Sequence, residues 1–133
     1  MPDAIEVHVA SDRDVVQVRQ RARSLATEIG FSVSDATLIA TAVSELSRNI
    51  VSYAGHGTVT LSRIAAAGRT GLSIVASDQG PGIADVARAM RDGYSTSGGL
   101  GLGLPGVRRL MDEFEISSGP GMGTAVTVRK WLA

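Results

Sequence analysis

The sequence predicts an α+β domain in which helices are layered on one face of a mainly antiparallel, mixed sheet. Apolar residues change period along the chain in the order β-α-α-β-β-loop-α-β-β, which lacks the strict alternation of a doubly wound parallel fold. At 133 residues, 44% hydrophobic and 20% charged, the chain has the size and apolar content of one self-supporting core, so residues 1–133 are expected to form a single domain. Half of its 16 glycines fall between Gly80 and Gly106, which gathers the irregular backbone into one stretch.

Each element has its own signal. Ile5, Val7 and Val9 alternate with Glu6 and His8, the period of a half-buried strand. Ser11 followed by Asp14 reads as a capping box. Val15, Val18, Ala22, Leu25, Ala26 and Ile29 then form one stripe of a helix closed by Gly30. Ser34 is read as the cap of a second helix that runs to about Ala54. Its apolar stripe is Ile39, Val43, Leu46 and Ile50, and Gly55-His56-Gly57 stops it. Strands through Val59 and Leu61 and through Leu72, Ile74 and Ala76 are joined by a turn at Ala67–Gly71, and the second strand ends at Asp78. Gly80-Pro81-Gly82 breaks regular structure, and a short amphipathic helix is expected from Asp85 to about Arg91. Residues 93–103 are too rich in glycine and hydroxyls for a core element and read as a mobile functional loop. A last helix begins near Pro105, with Val107, Leu110, Met111 and Phe114 inward. Strands near Phe114–Ser117 and Thr124–Trp131 flank the turn Gly119-Pro120-Gly121.

Composition excludes several function classes. Thirteen basic residues balance thirteen acidic ones, so nothing in the bulk charge favours nucleic acid or a membrane surface as partner. The chain has no cysteine, hence no disulfide, zinc–thiolate site or thiol nucleophile. Without a basic-then-apolar leader or an apolar run of about 20 residues, a cytoplasmic location is expected. Twelve of the basic residues are arginines, and Lys130 is the only lysine. A Walker-A loop needs a lysine within its glycines, and a eukaryotic-type protein kinase needs one on an early strand, so neither nucleotide machinery is present.

Three segments carry chemistry. Glu45 and Asn49 lie about 40° apart on the second helix, and their shared direction is roughly 110° from its apolar stripe. That places a carboxylate and an amide on the helix flank, where they serve either as proton acceptor beside a metal or water ligand, or as a solvated i,i+4 pair. Asp78 ends an apolar strand before Gln79-Gly80-Pro81-Gly82. It is either a carboxylate that accepts from an amino group where glycines let a ligand approach, or part of an ordinary turn. Gly99-Leu100-Gly101-Leu102-Gly103-Leu104 leads straight into a helix, a pattern suited to a lid whose backbone N–H groups cover phosphates. The strand that a dinucleotide fingerprint requires does not precede it.

In this order, and with Gly123-Thr124 following, these segments resemble the ATP-binding domain shared by DNA gyrases, the chaperone Hsp90, histidine kinases and mismatch-repair ATPases, the GHKL superfamily with its Bergerat fold. Along nearly its whole length the chain is similar to the small switch kinases of bacterial partner-switching pathways. It resembles the RsbT type, the serine/threonine kinases of the stressosome. The stretches that carry this are Glu45-Leu46-Ser47-Arg48-Asn49-Ile50, Asp78-Gln79-Gly80-Pro81-Gly82-Ile83 and Asp92-Gly93-Tyr94-Ser95-Thr96-Ser97-Gly98-Gly99-Leu100-Gly101. Leu104-Pro105-Gly106-Val107, Arg109-Leu110-Met111-Asp112-Glu113-Phe114 and the ending Lys130-Trp131-Leu132 belong to the same pattern.

The resemblance implies a Bergerat-type sandwich that uses ATP and Mg²⁺. Asn49 would hold the metal, and Glu45 would orient or deprotonate the attacking hydroxyl. Asp78 would accept from the adenine amino group with Thr124 supporting it through water, while Gly80 and Gly82 let the base approach. Gly101, Leu102 and Gly103 would cover the phosphates, with Gly99 in the same run. Phosphoryl transfer needs mainly positioning and charge neutralisation, so a set this sparse is chemically sufficient. The superfamily's lid lysine is absent.

The partners implied are a STAS-domain protein as phosphorylation substrate and a protein phosphatase activated on release. The alternative is an anti-sigma factor that sequesters a sigma subunit and phosphorylates its antagonist. A clamp ATPase would need a transducer domain, and a histidine kinase a helix pair bearing its phosphoacceptor histidine. Arg48 is open to phosphate, to a protein partner or to solvent, and the Tyr94-Ser95-Thr96-Ser97 hydroxyls to the phosphates. His8 and His56 are read as surface residues, and Trp131 as sheet packing.

Overall fold

The computed structural model describes residues 4–83, 90 and 103–133. Its elements run β1 (Ala4–Val9), α1 (Asp12–Ile29), α2 (Val33–Tyr53), β2 (Gly57–Ala66), β3 (Arg69–Asp78), α3 (Gly103–Leu110), β4 (Glu113–Ser118) and β5 (Thr124–Trp131). Apart from Met90, which is in a turn, the helix expected from Asp85 to Arg91 and the loop up to Leu102 lie outside the described residues.

The strands form one sheet in the order β1-β2-β3-β5-β4, antiparallel at every pairing. No parallel pair occurs among the described residues, although the sequence suggested a mixed sheet. The reason is the crossover through α3: β3 and β4 run the same way, but β5 folds back between them and pairs with both. Alternation then decides the faces. Val59, Leu61, Ile74, Ala76, Val126 and Val128 are buried, and their registers place them as neighbours on one face of the sheet. The hairpin between β2 and β3 closes in two residues, Ala67 and Gly68, both with positive φ (53° and 77°), the geometry of a type I′ turn.

The apolar stripe of α2 is buried as its period requires, and α2 packs against α1 on one side and α3 on the other. At α1 the Ser11 hydroxyl accepts from the Asp14 N–H at 3.3 Å, and the Asp14 carboxylate accepts from the Ala10 N–H at 2.9 Å. The cap of α2 is Ser32, which accepts from the Asp35 N–H at 3.1 Å; Ser34 lies within the first turn. Phe31 decides the matter: its side chain is buried in the core immediately before the helix, which fixes the entry two residues earlier than expected. Lys130 reaches across to the Leu110 carbonyl at 3.1 Å, a cation on the C-terminal end of α3. No helix among the described residues is long and apolar enough to cross a membrane.

Trp131 packs on the sheet as expected. Its indole N–H donates to Glu113 Oε2 at 2.6 Å, and the Arg69 guanidinium sits 5.2 Å from its ring centre. The indole hydrogen bond, helped by Arg129, holds the Glu113 carboxyl below the ordinary glutamate range. A carboxyl depressed in the folded state stabilises above its unfolded pKa and loses that contribution as pH falls through the folded value. Trp131→Phe should therefore raise the Glu113 titration midpoint toward that of a free glutamate, read by carboxyl-carbon NMR. His8 and His56 are both exposed, as read, yet the fold brings their rings to 5.4 Å.

Candidate active site

The middle position of α2 governs the first half of the site. Because α1 and α3 flank this helix, even its side away from the apolar stripe is covered, and Glu45 is only 3% exposed. The sequence placed that carboxylate at the edge of a cleft; the structure places it inside. One of its oxygens, Oε1, accepts from Arg48 Nη1 at 2.8 Å. The other, Oε2, is buried and has no hydrogen-bond partner among the described residues. A buried carboxylate oxygen without a donor is costly unless a ligand supplies one. The neighbouring hydroxyls do not: Ser44 donates to the Ala40 carbonyl (2.9 Å) and Ser47 to the Val43 carbonyl (2.7 Å), so both are spent on the helix itself. Asn49 stands one turn on, half-buried.

The second half lies where the sheet meets the end of this helix. Asp78 pairs with Gly57 on one side and Thr124 on the other, and Thr124 pairs in turn with Ser118. Cross-strand partners share a face, so Asp78, Thr124 and Ser118 form one row across three strands. Asp78 Oδ1 accepts from the Gly80 N–H at 2.9 Å, which bends the chain out of β3 and leaves the second oxygen for another donor. The segment that follows is locked to the β4–β5 turn. Pro81 C=O accepts from the Gly121 N–H at 2.6 Å, and the Ile83 N–H donates to Ser118 Oγ at 2.7 Å.

Glycine is required here by the protein itself. At Gly82, with φ +79°, a β-carbon would strike the Gly119 carbonyl oxygen; at Gly123, with φ +71°, it would strike the Asp78 carbonyl oxygen. The backbones of the two segments touch, and only glycine accepts both the conformation and the closeness. Gly80 faces α2, since a β-carbon there would lie 2.6 Å from that of Ala54. The segment carrying Asp78 is thus seated on the C-terminal end of the helix that carries Glu45 and Asn49.

Gly103, with φ +68°, opens α3, and Gly103 and Leu104 are buried where this helix packs on α2. Gly99, Gly101 and Leu102 lie outside the described residues. Among the described residues no three His, Cys, Asp or Glu side chains gather as a metal site. The Asn49 side chain carries one hard oxygen, the kind of donor Mg²⁺ takes when phosphates complete its shell. A shallow groove of about 320 Å³ between β1 and α1, lined by Ile5, Gln20, Arg21, Ser24, Leu25 and Glu28, shares no residue with this site.

One residue was left open by sequence reasoning and one escaped it. Arg48 had three open readings and proves to be the partner of Glu45. Ser118 was not considered, although extending the Phe114–Ile116 alternation by one step puts it on the site's face.

Comparison with known proteins agrees with this fold. Residues 9–130 match the histidine kinase-like ATPase domain. The serine/threonine-protein kinase RsbT of Bacillus subtilis is 51% identical over 132 residues, covering 99% of both chains. Anti-sigma F factors are more distant: that of Caldanaerobacter subterraneus is 29% identical over 115 residues, spanning 82% of this chain and 79% of that one. In a crystal structure of the SiaB–SiaC complex from Pseudomonas aeruginosa, one chain shares the fold at a TM-score of 0.58 and 14% identity, covering 97% of this chain and 89% of its own. The chain belongs to the histidine kinase-like ATPase domain family and, within it, to the RsbT-type serine/threonine-protein kinases.

Proposed function

We propose that this kinase transfers the γ-phosphate of ATP to a serine of a STAS-domain antagonist protein and, once released from it, activates a protein phosphatase. The observation that carries the chemistry is Glu45: buried, held through one oxygen by Arg48, and presenting the other oxygen without a donor among the described residues. An acceptor hydroxyl fills that vacancy. As its oxygen bonds to the γ-phosphorus, its proton passes to Glu45 Oε2, and the breaking bond leaves its electron pair on the departing ADP. Arg48 keeps the carboxylate from swinging away, so Oε2 stays aimed.

Asn49 would hold Mg²⁺, which when bound neutralises phosphate charge. Asp78, with Thr124 beside it in the row, takes the adenine amino group. Gly99, Gly101, Leu102 and Gly103 would supply backbone N–H groups to the phosphates, and the N-terminal end of α3 adds its positive dipole. The reaction is placed in the cytoplasm, where ATP and the protein acceptor are available.

The test is transfer of labelled γ-phosphate from Mg-ATP to the STAS-domain protein encoded nearest this gene. Label should appear on serine. Asp78→Asn should weaken ATP binding about tenfold or more by calorimetry, because an amide turned toward the adenine amino group offers a donor where an acceptor is needed. Nucleotide binding with no label on the partner, together with capture of a sigma subunit, would replace this reading by the anti-sigma one.

A further inference from the structure

Ser118 makes more contacts than a surface hydroxyl needs, and counting its hydrogens fixes the direction of each. Its oxygen accepts from the Ile83 N–H at 2.7 Å. It donates to the Gly123 carbonyl at 2.9 Å, and it lies 2.9 Å from Thr124 Oγ1. A serine hydroxyl has one hydrogen, and the Gly123 carbonyl can only accept, so that hydrogen is used there. The contact with Thr124 therefore has one possible sense: Thr124 donates to Ser118. With its hydrogen committed, Thr124 turns only lone pairs toward the rest of the row. Its neighbour there, Asp78, is a carboxylate and also an acceptor. Among the described residues, the Asp78 and Thr124 side chains of this row present acceptors alone.

We propose that Ser118 is a positioning residue that sets base specificity by fixing the Thr124 hydroxyl hydrogen toward itself, so that the row selects a base with an amino group at the 6-position and rejects one with a carbonyl oxygen there. This rests on the reading that Asp78 and Thr124 receive the base. A 6-amino group supplies hydrogens to the acceptors, directly or through a water. A 6-oxo group brings a third acceptor to a place without a donor, which leaves polar groups unpaired. If Thr124 could rotate and donate outward, that rejection would weaken.

The probes are ATP and inosine triphosphate, which differ at the 6-position and in the ring N1 proton, with binding measured by calorimetry. Ser118→Ala frees the Thr124 hydroxyl and should lower the ATP-over-ITP preference at least about fivefold, the scale of one hydrogen bond. Ser118→Thr, which keeps the hydroxyl, should hold that preference near the parent value. Thr124→Val removes the rotating group, so adding Ser118→Ala to it should leave the preference where Thr124→Val alone puts it.

A preference unchanged in Ser118→Ala overturns the proposal. So does a fall of equal size with and without Thr124, since Ser118 would then act by general loosening of the Ile83 and Gly123 contacts. Asp78→Asn separates the two levels. If that change leaves ATP affinity intact, the base does not sit on this row, and both the reading and the inference fall. If it weakens ATP while Ser118→Ala leaves the preference alone, only the inference falls.

Discussion

Glu45→Gln should reduce phosphate transfer by about 10² to 10⁴-fold, the range general-base removal costs, while leaving nucleotide affinity within about twofold of the parent. The substitution is nearly isosteric, and its amide oxygen can still accept from Arg48, so the α2 geometry is kept. What disappears is the proposed proton acceptor at Oε2, the oxygen with no donor among the described residues. Stability should stay level or rise, because a neutral amide replaces a buried carboxylate whose partner Arg48 is 43% exposed at its side chain. Single-turnover transfer, calorimetric binding and thermal unfolding on one preparation separate these effects. Loss of nucleotide binding alongside transfer would make the role of Glu45 structural.

Gly82→Ala should be the most damaging small substitution in the described residues. Two penalties act together. A left-handed φ costs an alanine roughly 1–2 kcal/mol, and the new methyl group must push the Gly119 carbonyl away. The segment and the turn have to part, and the hydrogen bonds Gly121 N–H to Pro81 and Ile83 N–H to Ser118 go with them. We expect a fall in Tm of about 10 °C or more and a loss of ATP affinity of at least about tenfold. Gly121→Ala is the control: φ there is +73°, but nothing lies within 4 Å of a β-carbon, so only the conformational penalty applies. Equal losses in the two variants would mean that the close approach at Gly82 carries no weight.

Much of the architecture was legible because period and punctuation are local properties. The stripe of α2, the cap at Ser11, the stop after α1 and the strand alternations each depend on residues within a turn or two of one another. The α2 cap was displaced because Ser32 and Ser34 are equally good caps by type, and the choice rests on a tertiary contact, the burial of Phe31. The place of β5 was not legible either. Its pairing with β3 joins residues far apart in sequence, and hydrophobic alternation does not say which strand is the neighbour.

The site divides the same way. Glu45 and Asn49 were visible as one turn of one helix, and Asp78 as a carboxylate before a glycine-rich bend. That Glu45 is enclosed follows from α2 being the middle helix, which no stripe reveals. Arg48 was ambiguous because a helix surface offers it several directions, and only packing chose Glu45. The need for glycine at position 82 was visible, but its physical source was not: the demand comes from a backbone in the next hairpin.

The position of β5 also bears on how the protein is made. Asp78 acquires its neighbour Thr124 only when the last of the described strands has been laid between β3 and β4. Until then β3 ends on an open edge and Ser118 has no row to join. On a ribosome the helix bearing Glu45 and Asn49 emerges long before the row of Asp78, Thr124 and Ser118 exists. On the proposed reading, in which this row receives the base, nucleotide binding should mark the completed sheet.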